Sequence, residues 1–222
     1  MVTITAQSET SICNMALARI GAKRINDIED ASDDKVEAIQ CRLHYSQTRD
    51  ALIRSHWWRM ARARKTLSAN ADYVSDGEYD YAYDLPVDFI RMKKPYEGLT
   101  PGSEIQAYTY SLEGKQLLSN ETPMKIQYIK RVTDPPSFDP LFVEVFVLTL
   151  AIKMTMPLAG AGEEAIIMRN ELNLELNGRG GLMSKVRLID KEETNTQGRV
   201  DTYTWNDAMT ANASGDPTRM GE

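Results

Sequence analysis

The chain has few residues of the kinds that build reactive or covalently cross-linked sites. It contains only two cysteines and two histidines in 222 residues. Cys13 and Cys41 cannot make a disulfide framework. A structural zinc site needs four ligands, yet no CxxC or HxxxH spacing exists, and Cys41 with His44 is a weak indication. We therefore expect two buried free thiols on apolar helix positions, with neither a metal nor a cofactor.

Positive charge and long apolar runs are also scarce. The formal net charge is −6, whereas a protein that coats nucleic acid usually has a basic balance, so general DNA binding is disfavoured. The longest apolar run, residues 141–156, carries Glu144 and Lys153 and stops at Pro157. We expect it to be too short and too charged to span a bilayer. Since the N-terminus also lacks the regions of a signal peptide, we expect a soluble protein with no membrane partner.

No arrangement of nucleophile and base is recognisable in the sequence. His44 and His56 both fall in a basic stretch, without an orienting partner nearby in sequence. Paired carboxylates at residues 163–164 and 192–193 lie at a helix start and in a polar tail, where charge is expected. We expect no enzymatic activity, and a hydrolase that uses either histidine is the weakest hypothesis.

Two helical segments open the chain and two close it. The first covers residues 10–20, and the second begins at residues 33–34 and carries a narrow apolar stripe as far as residue 52. The third starts at Asp139-Pro140, a cap followed by proline, and is apolar nearly all round. The fourth starts near Ala161. We expect it to bury four residues: Ile166, Ile167, Leu172 and Leu176.

Between the two pairs of helices the apolar period changes to two, which indicates strands. Every second residue from 79 to 85 is large and apolar or aromatic, namely Tyr79, Tyr81, Tyr83 and Leu85. Pro86 ends that strand or places it at an edge. Residues 124–128 alternate in the same way, and Glu113-Gly114 predicts a hairpin turn. We predict a small antiparallel sheet of four to six strands.

These segments predict an α+β fold. A four-helix bundle is formed by the N- and C-terminal halves of the chain, with a small antiparallel β domain inserted between them and an extended C-terminal tail. We assign residues 1–65 and 137–189 to the helical bundle, residues 66–136 to the β domain and residues 190–222 to the C-terminal arm.

The arm differs from the rest of the chain in composition. A glycine-rich stretch at residues 177–181 first interrupts the last helix. Residues 190–222 are then polar, and Tyr203 and Trp205 are their only aromatic residues. Large aromatic side chains often anchor one protein chain on another. We expect Tyr203 and Trp205 to play that role.

An aromatic and basic junction connects the predicted bundle to the β domain. Trp58 at the helix end and Tyr83, Leu85 and Pro86 of the strand are expected to form the seam between them. Residues 42–65 hold one acid, Asp50, against seven cations: Arg42, Arg49, Arg54, Arg59, Arg62, Arg64 and Lys65. Either these cations face phosphates or an acidic partner subunit, or they form a solvated helix face paired with acids of the β region.

Several short motifs occur in a fixed order along the chain. They are residues 14–17 with Ile20 and Gly21; residues 38–41 with Tyr45, Arg49, Asp50 and Leu52; residues 56–61, with Arg64 and Leu67; residues 83–86 with Asp88 and Arg91; Tyr128 with Arg131 and Val132; and residues 138–140. Their joint order resembles the tail tubular protein A family, the head-to-tail adaptors of short-tailed bacteriophages. The resemblance covers about residues 12–175. The chain departs from the family's usual His-Pro-Trp-Asn-Phe-Ala at Trp57, Arg59 and Met60.

The resemblance implies a helical bundle with a β domain, assembled as a dodecameric ring between the portal protein and the tail nozzle protein. Double-stranded DNA would pass transiently through the lumen, and an acidic chain would let it slide. The protein would belong to the tail or neck of the virion, and to the host cytoplasm during assembly. From the residues themselves, we expect Tyr203, Trp205, Arg59, Arg62 and Arg64 to contact a neighbouring subunit or the portal, with internal ion pairs as the alternative for the three arginines. The alternative is a nucleic-acid-binding module that uses the basic helix at residues 42–65.

Overall fold

The computed structural model of the protein describes residues 7–75, 77–92 and 109–193, with side chains described as far as residue 190. Over these ranges the chain forms five α-helices and six β-strands, so the predicted α+β class is confirmed. The helices are α1 (Glu9–Arg19), α2 (Val36–Ser55), α3 (Pro140–Ala159), α4 (Glu163–Asn177) and α5 (Leu182–Glu193). The strands are β1 (Arg62–Leu67), β2 (Tyr81–Asp84), β3 (Phe89–Met92), β4 (Tyr110–Glu113), β5 (Gln116–Ser119) and β6 (Met124–Lys130).

Contacts within the chain separate it into two units, Met1–Arg187 and Leu188–Glu222. The description that follows concerns the first unit. α5 continues to Glu193, so the first four residues assigned to the C-terminal arm are helical. Tyr203 and Trp205, the proposed anchors of that arm, lie outside the described residues.

The strands form two antiparallel sheets of three strands, in the orders β1-β6-β3 and β2-β5-β4. A single sheet was predicted, and the difference arises at Pro86. Proline cannot donate to a strand ladder, and the backbone N–H of Phe89 closes a turn onto the carbonyl oxygen of Pro86 at 2.9 Å. That turn carries the chain from β2 in one sheet to β3 in the other.

The predicted hairpin turn is confirmed, and the predicted start of the β region is displaced. Gly114 takes a φ of 58° in the turn between β4 and β5, a conformation that glycine adopts without a steric penalty. β1 begins at Arg62, directly after a single turn of 3₁₀ helix at Arg59–Ala61. The β region therefore starts four residues earlier than the alternation of apolar residues indicated.

The described residues form one large hydrophobic cluster on the helices, a smaller one between the sheets and a third of Tyr79, Ala82 and Leu118. The large cluster joins α1, α2, α3 and α4 with Trp58 and with Ile129 of β6. α3 lies at its centre, because α1, α2 and α4 all pack against it. The second cluster comprises Leu67, Tyr83, Leu117, Met124, Ile126 and Tyr128.

Side-chain caps fix the start of α1 and the loop that follows it. Ser8 and Ser11 form a capping box, in which each hydroxyl oxygen accepts the other residue's backbone N–H, at 3.1 and 2.9 Å. The side-chain amide of Asn14 exchanges two hydrogen bonds of 2.9 Å with the backbone of Ile25. Gly21, at a φ of 69°, ends the first helix as expected. Asn14 therefore ties the loop between α1 and α2 to the first helix.

α3 starts as predicted and ends later than predicted. The Asp139 carboxylate accepts the backbone N–H of Leu141 at 2.8 Å, and Pro140 occupies the first helical position. Pro157 does not end the helix, because it lies in the last turn and removes only one intrahelical hydrogen bond. At 20 residues, α3 is long and apolar enough to cross a membrane, which corrects the expectation that it is too short. It is also 56% buried inside the protein over its most apolar window, and core helices meet the same criterion.

α4 buries a different face from the one predicted. Leu172 and Leu176 are buried as expected, together with Ala165, whereas Ile166 and Ile167 are 46% and 56% exposed. Ala165, Leu172 and Leu176 recur at helical spacing on one side. A helix turns about 100° per residue, so Ile166 and Ile167 cannot share that side with Ala165. The glycines that follow α4 break the helix as predicted, with Gly180 at a φ of 77°.

Candidate interaction surface at the helix–sheet junction

Trp58 fills the space between the end of α2 and the start of α3. Its side chain is buried, its indole Nε1 donates to the carbonyl oxygen of Leu52 at 2.8 Å, and its ring meets Phe142 edge-to-face at 5.0 Å. On the other side the His56 ring meets it edge-to-face at the same distance. Edge-to-face aromatic pairs stabilise a core beyond the area that they bury. Trp58 is therefore part of the main core rather than a binding platform.

The residues around Trp58 tie the helices to the strands. The guanidinium group of Arg62 donates from Nε and Nη2 to the carbonyl oxygen of Trp57, at 3.1 and 2.9 Å. The thioether of Met60 accepts the backbone N–H of Asp139 at 3.2 Å, directly at the cap of α3. Residues 57–62 thereby fix the start of β1 relative to the end of α2 and the start of α3.

The strand residues assigned to the same seam lie in a different cluster. Tyr83 is buried between the two sheets, and its hydroxyl donates to the carbonyl oxygen of Glu121 at 2.6 Å. Leu85 packs against the same cluster, and its backbone N–H donates to Lys115 at 2.9 Å. Pro86 closes the turn towards β3. These three residues hold the sheets together, while Trp58 holds the helices.

Several arginines of residues 42–65 contact backbone carbonyls or acids of the helices. Arg42 donates to the carbonyl oxygens of Asp30 and Asp33, each at 2.7 Å. Arg49 is buried and contacts Asp50 at 3.0 Å and Glu9 at 3.8 Å. Burial raises the pKa of Glu9 against the opposing effect of Arg49. Helix acids and backbone carbonyls thus hold Arg42 and Arg49, which are not simply part of a solvated helix face.

Arg54 and Arg91 form a cationic pair at the end of α2, which we call the arginine site. Arg54 Nη1 donates to the carbonyl oxygen of Ile90 at 2.7 Å, which brings it beside Arg91 on β3. The guanidinium carbon of Arg91 lies 5.5 Å from the centroid of the Trp57 ring, a cation–π contact. Burial and the neighbouring charge of Arg54 lower the pKa of Arg91. Arginine nevertheless keeps its charge in proteins, so the site retains two positive charges.

The arginine site has no acidic partner within the described part of the chain. Neither guanidinium has an ion pair with a described carboxylate. Among the described residues, the Nε of Arg91 is buried without a hydrogen-bond partner. Buried polar groups in folded proteins are nearly always hydrogen-bonded, so this donor is an exception in the described part of the chain.

The predicted interface arginines are placed separately. Arg62 is bound internally, as described above. Arg64 lies exposed on β1 opposite Gln127, and Arg59 is exposed in the 3₁₀ turn. In the sequence, Arg54 stands out only as one cation of a run and Arg91 only as part of a motif. No periodicity connects α2 to β3, so only the fold brings Arg54 and Arg91 together.

A shallow cleft of about 510 Å³ lies next to Asp88, lined in part by Pro86, Val87 and Arg131. The Tyr128 hydroxyl donates to Asp88 at 3.2 Å, and burial together with the Asp88 charge raises the pKa of Tyr128. Arg131 Nε donates to Asp50 at 2.8 Å. Asp88 and Arg131 thus each have a described partner, and Lys65 adds a further cation to the lining of the cleft.

The two cysteines are buried and adjacent. Cys13 and Cys41 are fully buried free thiols, as predicted, and Cys41 Sγ lies 3.9 Å from the Met154 sulfur. The hydrogen bond with Cys41 and burial raise the pKa of Cys13. Among the described residues no cluster of three His, Cys, Asp or Glu side chains could hold a metal ion.

No protein-family model matches the chain, and no characterised protein matches it either. The resemblance to the phage adaptors therefore rests on the sequence motifs alone.

Proposed function

We propose that this protein is a structural protein of a bacteriophage virion: a head-to-tail adaptor that forms a ring between the portal and the tail nozzle. Genomic DNA passes through the lumen of the ring. The observation that carries the proposal is the ordered series of motifs from Asn14 to Asp139-Pro140. The helices around α3 then serve as the bundle of the adaptor, with the inserted sheets as its β domain.

The roles of the motif residues support the proposal. Asn14 braces the loop between α1 and α2, Trp58 wedges between α2 and α3, and Asp139 caps α3. These are structural tasks that a shared fold would preserve. An adaptor also requires no catalytic group.

Electron microscopy of the purified chain tests the proposal directly. We expect negatively stained particles to show rings with a central opening, wide enough for double-stranded DNA. The portal protein, added as a second component, should dock on one face of the ring. Particles without a central opening, with or without the portal, would contradict an adaptor function.

The alternative, nucleic-acid binding through residues 42–65, has less support. Arg42, Arg49 and Arg62 are occupied by internal partners, and only part of the basic stretch is available to phosphates. The net charge of −6 opposes attraction to DNA. A strongly salt-dependent affinity of the monomer for double-stranded DNA would favour this alternative over the ring.

We further propose that Tyr203 and Trp205 anchor the C-terminal arm on a neighbouring subunit or on the portal. Deleting residues 195–222 should then weaken ring or portal attachment while the monomer stays folded. The measurements are particle mass and circular dichroism on the same preparation. Normal docking of the truncated chain would rule out the arm as an anchor.

A further inference from the structure

The arginine site has no negative charge paired with it among the described residues. Arg54 is held by the Ile90 carbonyl, and the guanidinium group of the nearby Arg91 lies over the Trp57 ring. Like charges near one another repel, and within the described ranges the buried Nε of Arg91 has no acceptor. A carboxylate placed against this pair would relieve the repulsion and supply the missing acceptor, because guanidinium groups bind carboxylates through paired N–H donors.

A surface on α4 has the complementary charge. Glu163, Glu164 and Glu171 are exposed, and none has an ion pair with any residue in the described ranges. Ile167 and Leu174 lie on the same side of the helix and are 56% and 68% exposed. We call these five residues the α4 outer face. Its apolar residues flanked by acids have the composition of an interface, with a hydrophobic centre and a charged rim.

The two surfaces belong to different elements of the fold. The arginine site is at the end of α2 and on β3, whereas the α4 outer face points away from the buried side of α4. α2 and α4 both pack on α3 and contact each other little. A contact between these surfaces in two copies would join unlike patches. Head-to-tail contacts of this kind generate closed rings when the rotation between copies closes.

We propose that the arginine site binds the α4 outer face of a second copy of this chain, with Arg54 and Arg91 facing the glutamates. This inference rests on the proposed ring and names the surfaces that build it. The chain supplies both charges, so no other partner is needed. The exposed Ile167 and Leu174 then become buried against the half-exposed Trp57 and its surroundings.

Charge reversal with mixing tests the pairing. One variant carries Arg54→Glu and Arg91→Glu, and the other carries Glu163→Arg and Glu171→Arg. Each alone should associate roughly tenfold more weakly or worse, because like charges would face one another in every contact. An equimolar mixture should reassemble, because every contact between the two variants again joins opposite charges. Mass photometry measures the assembled fraction in each sample.

Lys23→Glu/Arg24→Glu is the matched control. Both residues are exposed in the loop after α1, and the substitution changes the net charge by the same amount as the arginine variant. The control should assemble like the wild type. Circular dichroism checks that each variant is folded, and Arg54→Glu alone, at an exposed position, replaces the double variant if Arg91→Glu does not fold.

The outcomes separate this inference from the proposed function. Rings that survive both reversals, a mixture that fails to reassemble, or a control that dissociates equally would overturn the pairing while leaving the ring intact. A wild-type chain that remains monomeric would overturn both. Loss of DNA binding in the arginine variant, with no recovery on mixing, would assign the site to nucleic-acid phosphates instead.

Discussion

At the scale of single residues, Trp58 stabilises the fold through its ring contacts and through one hydrogen bond. Its ring contacts Phe142 and His56, and its indole nitrogen satisfies the Leu52 carbonyl at the end of α2. The aromatic contacts continue from Phe142 to Phe138 and Phe146. Removing Trp58 would therefore leave a cavity where α2, α3 and β1 meet.

We expect Trp58→Ala to lower the free energy of unfolding by about 3–5 kcal/mol, as for other buried tryptophans. Trp58→Phe should cost less, because it keeps most of the packing and loses the hydrogen bond to Leu52, worth about 1–2 kcal/mol. Urea unfolding followed by circular dichroism measures both. Equal costs for the two variants would mean that the ring packing contributes little.

The buried thiols give a second test at this scale. Cys13 and Cys41 are fully buried, and the hydrogen bond between them together with burial raises the pKa of Cys13. An aromatic disulfide reagent at pH 8 should therefore react with them far more slowly in the folded protein than in urea. Ser46→Cys, at an exposed position of α2, is the control and should react at once. Equally fast reaction of the native thiols would contradict their burial.

Residue types predicted some of these roles and not others. Asp139 and Gly114 were assigned correctly because a cap and a positive φ depend on local sequence. The hydrogen bonds of Asn14 to Ile25 and the approach of Arg54 to Arg91 depend on how distant segments pack, which periodicity does not encode. The sequence therefore showed both arginines of the candidate site, but it did not show that they lie near each other.

At the scale of elements, α4 has large apolar residues on more than one face, and only one of these faces is buried. Leu172 is buried and Ile166 is 46% exposed, although both are large and aliphatic. We expect Leu172→Ala to lower the unfolding free energy by about 2–5 kcal/mol, and Ile166→Ala by under about 1 kcal/mol. Denaturant unfolding of both variants measures the difference. The opposite order of costs would mean that α4 buries the face first predicted from the sequence.

Substituting the glycines at the two ends of α4 should have opposite effects on stability. A Cβ on Gly178 would collide with the carbonyl oxygen of Leu174, whereas nothing lies within 4 Å of one on Gly162. Gly178→Ala should therefore lower the midpoint of thermal unfolding by several degrees, at a cost of about 1–3 kcal/mol. Gly162→Ser is the control and should be neutral or slightly stabilising, because serine is favoured at a helix N-cap. A tolerated Gly178→Ala would mean that the turn relaxes freely.

Local signals predicted the helices better than the sheets. Caps and apolar spacing placed α1, α3 and α4 within a few residues, since both are properties of neighbouring residues. Alternation predicted strands but could not assign them to two sheets, because pairing is non-local. The turn at Pro86 decides that assignment, and only the fold shows which strand each segment joins.

At the scale of the whole molecule, the described surface carries charges and apolar residues without internal partners. The arginine site and the α4 outer face are on different elements, so a contact between them joins unlike patches of two copies. If the contact between the arginine site and the α4 outer face is repeated around a rotation axis, both surfaces of every copy are paired. The ring proposed from the motifs and the unpaired surfaces of the fold therefore lead to the same expectation.

The particle mass of the purified chain, measured by mass photometry with and without its portal protein, tests that expectation most directly. A ring of twelve copies of a 25.0 kDa chain should give a species of about 300 kDa. A single species at 25.0 kDa under both conditions would contradict the adaptor function.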